Sequence, residues 1–470
     1  MNEDLDIDWF KLFLDIVIII YIGHFIYSII RHLYNNNKRM EREYGNDIDI
    51  DRQVRKPFGF KADRVHRSVL VDSSNAKPGG SLNIQLHKIK NEPIIPGSLH
   101  ITFKAKIVSE KDKTATFVQN LGRALIVEKE LTFNGKRATI INEFDQFKIY
   151  SDLWLSKGER KARILQGIQS ENGLKYRIGS KTKNSSNQLV EVNVDDDEKA
   201  LKVAYGSTFK IPLDDELFTE VAPFCPYFIN DNVVLEFKLA EAKNVILSSD
   251  GDATYQINDV HLEWDGILDI FLANELKMQY QSGLNVMYDR VQFLRKESHS
   301  KSSGLININI RESLRSLRGV MILFKDADHQ KKYACKREVF YNPGIEKIEV
   351  SINGKSNQLY TNGLLPKDLW YEARKYFQGS TNMTQGDFYH DKFCVWLDTR
   401  STTDNTVHGN GLRLDGSNSG MHIAINKATE SGSFTMYIFL VIDAVIDFSD
   451  GSYKRICYAL DSCPEGDGDM

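Results

Sequence analysis

An internal repeat constrains the fold of this chain more than any other feature of its sequence. A strand-like run ends at Asn134-Gly135 in the first half and another at Asn353-Gly354 in the second. Asn-Gly is the strongest short signal for a β-hairpin, because both central residues of a type I′ turn need positive φ. A helical pattern containing Leu-Trp then follows each turn, with the tryptophans at Trp154 and Trp370. The turns lie 219 residues apart and the tryptophans 216, which predicts two copies of one domain.

Each copy is predicted to be all-β. Short runs such as 99–108 alternate apolar and polar residues, so that Ile101, Phe103, Ala105 and Ile107 share one face of a strand. Helical patterns are few and short, at 143–155, 157–168, 271–281 and 366–377. Because strands and helices do not alternate along the chain, a parallel α/β sheet is not expected. The pattern favours β-sandwiches or jelly rolls.

Charge and cysteine content exclude several classes of protein. Lys and Arg number 60 against 64 Asp and Glu, a net charge of −4, so a surface that binds nucleic acid as a whole is not expected. The five cysteines are widely spaced and form no CxxC pair. This spacing supports neither a zinc ribbon nor a disulfide scaffold, and it favours a reducing compartment.

The sequence contains no motif typical of an enzyme. Neither HExxH nor a glycine-rich nucleotide fingerprint is present. His408 could form a charged cluster with Asp404 and Arg400, but the neighbouring glycines favour a structural loop. The polar stretch 179–199, which ends in four acidic residues, is predicted to be an exposed loop rather than a metal site. We therefore expect no catalytic activity, no cofactor and no metal.

The N-terminal segment 9–30 is the most apolar part of the chain. A helix of this length would be about 33 Å long, enough to span a bilayer. Acidic residues precede the segment and basic residues follow it, an arrangement that would keep the rest of the chain on the cytosolic side. Asp15 within the segment argues against a membrane span. Membrane contact and burial against protein both remain open, through residues such as Ile16, Ile20, Phe25 and Ile30.

Together these patterns divide the chain into five parts. An N-terminal hydrophobic helix and polar linker cover 1–67, and the first β domain covers 68–268. A linker with a helix at 269–295 leads to the second β domain at 296–452, and a tail covers 453–470.

Several strings, in order along the chain, resemble one protein family. They are VQNLGRAL (118–125), DQFKIYSDLW (145–154), GER (158–160), GIQSE (167–171), HGNGLRL (408–414) and IAIN (423–426). Together they are similar to the major capsid protein of Polinton (Maverick) elements and of the related adintoviruses. The resemblance extends over roughly residues 90–450 and includes both predicted domains.

This resemblance implies a double jelly roll, which agrees with the duplication. Three subunits would form a pseudo-hexameric capsomer, and capsomers would tile an icosahedral shell with a penton or minor capsid protein. The expected location is the virion, after assembly in the host nucleus or cytoplasm. A membrane inside the shell would be a target for the apolar N-terminal segment, although that segment departs from the family pattern.

The family strings also imply site residues, which would be structural or interface positions rather than catalytic ones. They are Asn120, Gly122, Arg123, Trp154, Glu159, Arg160, Glu171, His408 and Arg413. Trp370, the counterpart of Trp154 in the internal repeat, is a further candidate of the same kind. Arg123, Arg160 and Arg413 would form ion pairs either between subunits or within one subunit.

Two other functions stay open from the sequence. One is a membrane-anchored β-sandwich that binds a glycan or a receptor, in the manner of a lectin or attachment protein. The other is an enzyme on a jelly-roll scaffold, which would need a convergent polar site that the sequence does not show.

Overall fold

The structure is a computed structural model that describes most of the chain after its N-terminal region. The described residues are 63–108, 111, 113–214, 218, 224–249, 251–356, 359–404, 407–414, 420–449 and 451–457. The apolar segment 9–30, with Ile16, Ile20, Phe25 and Ile30, lies outside them. Among the described residues, no helix is both long enough and apolar enough to cross a membrane.

The first half of the described chain, which we call domain 1, is a jelly roll. Its strands are β1 (Asp63–Leu70), β2 (Ser81–Gln85), β3 (His100–Val108), β4 (Thr116–Phe117), β5 (Ile126–Phe133), β6 (Lys136–Asn142), β7 (Lys181–Lys183), β8 (Leu189–Glu191), β9 (Thr208–Pro212), β10 (Val233–Leu239), β11 (Ile246–Leu247) and β12 (Thr254–Leu268). One four-stranded sheet has the order β1-β12-β3-β9, and the facing sheet has the order β2-β10-β5-β6.

The second half, which we call domain 2, repeats this topology. Its strands are β13 (Leu284–Ser300), β14 (Leu305–Ile310), β15 (Leu314–Asp326), β16 (Ile345–Ile352), β17 (Lys355–Ser356), β18 (Cys394–Asp398), β19 (Leu412–Leu414), β20 (Met421–Lys427), β21 (Ser433–Ser449) and β22 (Ser452–Cys457). The order β13-β21-β15-β18 matches the first sheet of domain 1, and β14-β20-β16-β17 matches the second. The predicted pair of jelly rolls is confirmed.

Helices occupy the connections between strands. They are α1 (Leu121–Ala124), α2 (Phe144–Leu153), α3 (Lys157–Ala162), α4 (Glu171–Ile178), α5 (Asp196–Tyr205), α6 (Ala242–Val245), α7 (Ile270–Ser282), α8 (Pro366–Tyr376) and α9 (Gln385–Asp391). Short 3₁₀ helices cover Ile164–Gln166, Pro226–Phe228 and Ala327–Gln330. Helices α2 and α8 follow the equivalent hairpins of the two domains, as the repeated Leu-Trp pattern predicts.

Alternation along the strands builds the core of domain 1. Ile101, Phe103 and Ala105 of β3 are buried, whereas Lys104 and Lys106 between them are exposed. The buried set points between the two sheets, because successive side chains of a strand face opposite ways. The predicted core-facing side of β3 is confirmed for these three residues, and Ile107, which was predicted to share it, is half-buried.

Both Asn-Gly turns have the backbone that the sequence predicts. Asn134 and Gly135 have φ values of 47° and 78°, and Asn353 and Gly354 have 51° and 74°. In each turn the asparagine Oδ1 also accepts a hydrogen bond from a backbone N–H of a distant loop. The donor is Asn232 in domain 1, at 2.7 Å, and Gly420 in domain 2, at 3.0 Å. The two turns are therefore equivalent in hydrogen bonding as well as in conformation.

Three predicted boundaries differ from the structure. The first strand begins at Asp63 rather than 68, because Asp63–Leu70 pairs along its whole length with β12. The linker predicted for 269–295 ends at Gly283, since β13 already begins at Leu284 and pairs with β21. The predicted tail at 453–470 begins as strand β22, which also pairs with β21. In all three cases the paired strand extends beyond the residues whose apolar pattern marked the predicted boundary.

The segment 179–199 is not the irregular loop that its polarity predicts. It contains the β7–β8 hairpin and the start of α5, where Asp195 accepts a hydrogen bond from the backbone N–H of Glu198 at 2.8 Å. The acidic run therefore caps a helix and occupies its first turn, where negative charge is favoured by the helix dipole. Its predicted exposure is confirmed for most of its residues.

The close approach of β15 and β18 gives a test of the domain 2 sheet. A Cβ added at Gly319 would overlap the Trp396 ring and the backbone of Leu397. Overpacking of this kind typically costs about 1–3 kcal/mol, so we expect Gly319→Ala to lower the unfolding midpoint in urea. Gly304→Ala is the control, because its nearest neighbours would lie 3.6 Å away. Equal midpoints for the two variants would contradict the described packing.

Candidate functional site: the seam between the two domains

The two domains meet along a continuous surface that we call the seam, and helix α2 of domain 1 forms its centre. Phe147 of α2 packs against Phe439 of β21, with ring centroids 5.5 Å apart. One turn further along α2, the Tyr150 ring meets Phe340 edge-on at 4.9 Å. The Tyr150 hydroxyl donates to the backbone carbonyl of Lys392 at 3.1 Å. Helix α2 thus inserts aromatic side chains into domain 2.

The repeated tryptophans meet at the end of α2. Trp154 stacks on Trp370 of α8 with centroids 5.1 Å apart, and on Phe377 with centroids 4.9 Å apart and rings inclined by 5°. Trp154 is almost fully buried and Trp370 is half-buried. Offset stacking of aromatic rings stabilises beyond the area that it buries. Trp154 and Trp370, which revealed the duplication in the sequence, therefore also join the two domains.

Ion pairs surround this aromatic contact. Asp145 of α2 pairs with Arg337 of domain 2, and Arg337 also donates to the carbonyl of Ala124 at 3.4 Å. Arg160 donates to both carboxylate oxygens of Glu338 at 3.3 Å. Because Asp145 is fully desolvated, burial raises its pKa, and the Arg337 charge opposes that shift. Removing either partner would leave a buried charge unpaired, which costs far more than an exposed pair contributes.

Domain 2 meets α2 with the outer face of its β13-β21-β15-β18 sheet, the face that points away from its own core. This outer face is apolar and buried, and it carries Met321, Leu323, Cys394, Trp396, Phe439 and Val441. Helix α8 covers another part of it, where Tyr376 stacks on Trp396 at 4.3 Å.

Burial raises the pKa of the Cys394 thiol to about 12, so this cysteine stays protonated and acts as an apolar side chain. Cys225 and Cys335 are likewise buried, free thiols.

A cavity of about 370 Å³ lies beside α2 in the seam. Its lining is mostly polar and includes Glu143, Asp145, Lys296, Lys325 and Arg337. Lys296 pairs with Glu143 at 3.0 Å, and the Lys325 ammonium donates to three backbone carbonyls of residues 336, 337 and 339. Burial and the Arg337 charge lower the Lys325 pKa well below its usual value. In this cavity Glu143 and Asp145 are thus paired with Lys296 and Arg337, and the Lys325 amine is held by backbone carbonyls.

Several predicted site residues belong to one buried polar network in domain 1. Arg123 reaches Asp152 at 3.3 Å and Asp214 at 2.8 Å. Asn120, in the left-handed region with φ of 56°, donates to Asp152 at 3.0 Å. Gly122 lies so close to Gln166 that an added Cβ would be 2.9 Å from its side chain. Arg123 therefore pairs within one domain, whereas Arg160 pairs across the seam.

Glu159, Glu171 and Arg413 have simpler surroundings. Glu159 completes a capping box with Ser156 at the start of α3, and the hydrogen bonds from Ser156 lower its pKa. Glu171 is exposed and pairs with Lys175 one turn along α4, at 2.7 Å. Arg413 is exposed on β19. That any of these residues contacts another subunit stays a prediction.

His408 does not form the charged cluster considered from the sequence. It pairs with Asp443 of β21 at 3.2 Å, while Arg400 pairs with Asp398 at 2.7 Å. Ligand atoms of Asp289, His408 and Asp443 lie within 4.8 Å of one another, a spacing that suits a metal ion. The Arg318 guanidinium, however, already donates to both carboxylates. It supplies the positive charge that a metal would bring, so this centre is better explained as an anchor for the loop around His408.

Two features of the seam were missed from sequence. The Asp145–Arg337 pair joins residues 192 positions apart, and no local pattern marks such a contact. The burial of the domain 2 outer face did leave a signal. Residues 320–324 read VMILF without alternation, as expected for a strand that is covered on both faces.

Solved structures with a similar fold are major capsid proteins of viruses. Vp54 of the virus PBCV-1, fitted into a reconstruction of the virophage Sputnik, matches with a TM-score of 0.58 and 11% identity, over 86% of this chain and 99% of that one. The Faustovirus major capsid protein matches with a TM-score of 0.54 and 7% identity, over 84% and 91%. The mavirus major capsid protein matches with a TM-score of 0.50 and 11% identity, over 86% and 93%.

Comparisons with protein-family models and with curated proteins find no match. At 7–11% identity the structural likeness shows the fold alone.

The aromatic stack at the centre of the seam can be tested by a double-mutant cycle. We expect Trp154→Ala to lower the free energy of unfolding in urea by about 3–5 kcal/mol, because it removes a buried indole. The Trp154→Ala and Trp370→Ala effects should couple by about 0.5–1.5 kcal/mol, since each removes the same stacked pair. Tyr371→Ala is the control, because Tyr371 is 62% exposed and lies next to Trp370 on α8. Strictly additive effects of the two tryptophan variants would contradict the stack.

The domain 1 network predicts a dependence of stability on pH. Desolvation opposes ionisation of Asp214, but the charges of Arg123 and Lys148 outweigh it and hold the Asp214 pKa well below its usual range. A carboxylate with a lowered pKa stabilises the folded state above about pH 4, and this contribution is lost as the pH falls further. We expect Asp214→Asn to lower the melting temperature at pH 7 and to flatten its decline below about pH 4.

Asp196→Asn is the matched control for this measurement. Asp196 also has a lowered pKa, through its hydrogen bond from Lys199, but its side chain is 96% exposed. Its replacement should lower the melting temperature far less than Asp214→Asn does, because an exposed ion pair and an exposed charge in the first turn of a helix contribute little. Indistinguishable pH profiles for the wild type and Asp214→Asn would refute the role of the network.

Proposed function

We propose that this chain is the major capsid protein of a virus or virus-like element. The observation that carries the proposal is the pair of complete jelly rolls with one strand order, joined by a buried seam. The match in fold extends over 99% of the Vp54 chain and 91% of the Faustovirus major capsid protein. The chain would thus act as a structural subunit of the virion and not as an enzyme.

The physics of the fold suits assembly. Sheets closed into jelly rolls leave few free strand edges, so subunits do not aggregate edge to edge. Most of the seam is heterologous, because α2 of domain 1 packs on the outer sheet face of domain 2, while Trp154 at the end of α2 stacks on its counterpart Trp370. Heterologous contacts repeat head to tail, and they produce a ring when the rotation closes.

For the assembly itself we propose a homotrimer, in which six jelly rolls form a pseudo-hexameric capsomer. Many weak contacts between neighbouring capsomers would then sum to a stable icosahedral shell. The resemblance of the strings at 118–171 and 408–426 to Polinton and adintovirus capsid proteins supports this assembly. A penton or minor capsid protein is the expected partner at the vertices, and segment 9–30 is the part proposed to contact a membrane or other component inside the shell.

The oligomeric state tests the proposal. The purified full-length chain should sediment at about three times 53.8 kDa, because the ring needs three copies of two domains. Negative-stain images should show particles with a hexagonal outline. A monodisperse monomer at micromolar concentration, in low and in high salt, would contradict the proposed function.

A further inference from the structure

The cavity beside α2 has walls from both domains. Helix α2 and strands β5 and β10 contribute from domain 1, and strands β13, β15 and β21 contribute from domain 2 together with the segment after β15. Its volume is about 370 Å³. Sites for small molecules commonly have volumes of about 300–1,000 Å³, whereas one water molecule occupies about 30 Å³ of the liquid. The seam therefore has room for a small molecule that contacts both domains.

The lining of this cavity carries an excess of positive charge. Five cationic side chains stand against three carboxylates, namely Lys238, Lys296, Lys325, Lys336 and Arg337 against Glu128, Glu143 and Asp145. The excess remains when Lys325, whose pKa burial lowers well below its usual value, is left out. Glu143 and Asp145 already have cationic partners. Lys238 and Lys336 are exposed, and neither forms an ion pair with a residue that the structure describes.

Deeper in the cavity, four buried polar atoms lack a hydrogen-bond partner among the described residues. They are Asp145 Oδ1, Gln146 Oε1, His329 Nδ1 and Arg337 Nε. Asp145 and Gln146 are only 1% and 3% exposed. Folded proteins leave few such atoms unpaired, because a buried polar group that has lost water needs another partner.

The four atoms differ in what they need from a partner. Asp145 Oδ1 and Gln146 Oε1 accept hydrogen bonds, whereas Arg337 Nε donates one. Burial lowers the pKa of His329, so its ring is neutral near pH 7 and its Nδ1 either donates or accepts. Hydroxyl groups suit such a mixed set, because each hydroxyl both donates and accepts.

We propose that this cavity binds a small phosphate ester that carries hydroxyl groups, a molecule of the sugar-phosphate class. The phosphate lies at the exposed side with Lys238 and Lys336, since it carries about two negative charges near pH 7 and lysine binds phosphate as a point charge. The hydroxyls donate to Asp145 and Gln146 and accept from Arg337. Water alone satisfies the buried atoms but leaves the two lysines unmatched.

A comparison of ligands tests both parts of this site. The probe is ribose 5-phosphate, titrated calorimetrically into the full-length chain at neutral pH and constant ionic strength. We expect it to bind at least about tenfold more tightly than either inorganic phosphate or ribose, because only the ester reaches both the lysines and the buried atoms. It should also raise the melting temperature as its concentration increases, since it binds the folded chain. Absence of binding, or equal affinity for inorganic phosphate, would overturn the inference.

A pair of lysine variants tests the location of the phosphate. We expect Lys238→Gln with Lys336→Gln to weaken binding of ribose 5-phosphate about tenfold or more, because both unmatched charges are removed. Lys136→Gln with Lys355→Gln is the matched control, since it also removes one exposed lysine from each domain but neither residue lines the cavity. Unchanged melting temperatures without ligand would show that both double variants fold.

Wild-type affinity in the Lys238→Gln, Lys336→Gln variant, or equal weakening in the control, would contradict the assigned site. The cavity lies within a single chain, so binding there does not depend on the proposed capsomer. A chain that binds the ester but does not form trimers would contradict the capsid proposal alone.

Discussion

The burial of one sheet face holds this molecule together. The outer face of the domain 2 sheet is apolar and would be exposed in an isolated jelly roll. Helix α2 covers it with Phe147 and Tyr150, and α8 covers the adjoining part with Tyr376. Exposed apolar patches of this kind mark interaction sites in soluble proteins. Domain 2 therefore needs domain 1 to cover its apolar outer face. The chain is therefore one unit of two jelly rolls rather than two independent domains on a tether.

The two copies have diverged where their neighbours differ. Strand β3 of domain 1 alternates lysine with apolar residues, while its counterpart β15 is apolar on both faces. The strand order is the same in both, because it depends on the inward-facing residues and on turns such as Asn134-Gly135 and Asn353-Gly354. The outward-facing residues differ, because in domain 2 they form a buried contact and in domain 1 many of them are exposed.

Much of the fold was predictable from local signals. Alternation placed the strands, and the Asn-Gly turns located equivalent hairpins in both domains. The ends of the strands were harder to predict, because a strand continues as long as its backbone can hydrogen-bond to the neighbouring strand. This is the case at Asp63 and at Leu284. The acidic run after 194 was predicted to be a loop, since polarity alone does not distinguish an exposed helix start from irregular structure.

The sequence by itself determined the duplication, the predominance of β-strands and the core-facing side of strand β3, because these follow from spacing within short segments. Only the tertiary structure decided that Trp154 stacks on Trp370, that Arg160 crosses the seam while Arg123 does not, and that Arg318 sits between Asp289 and Asp443. Such contacts join residues far apart in the chain. Their partners are fixed by how two folded surfaces meet, which no local pattern of residues encodes.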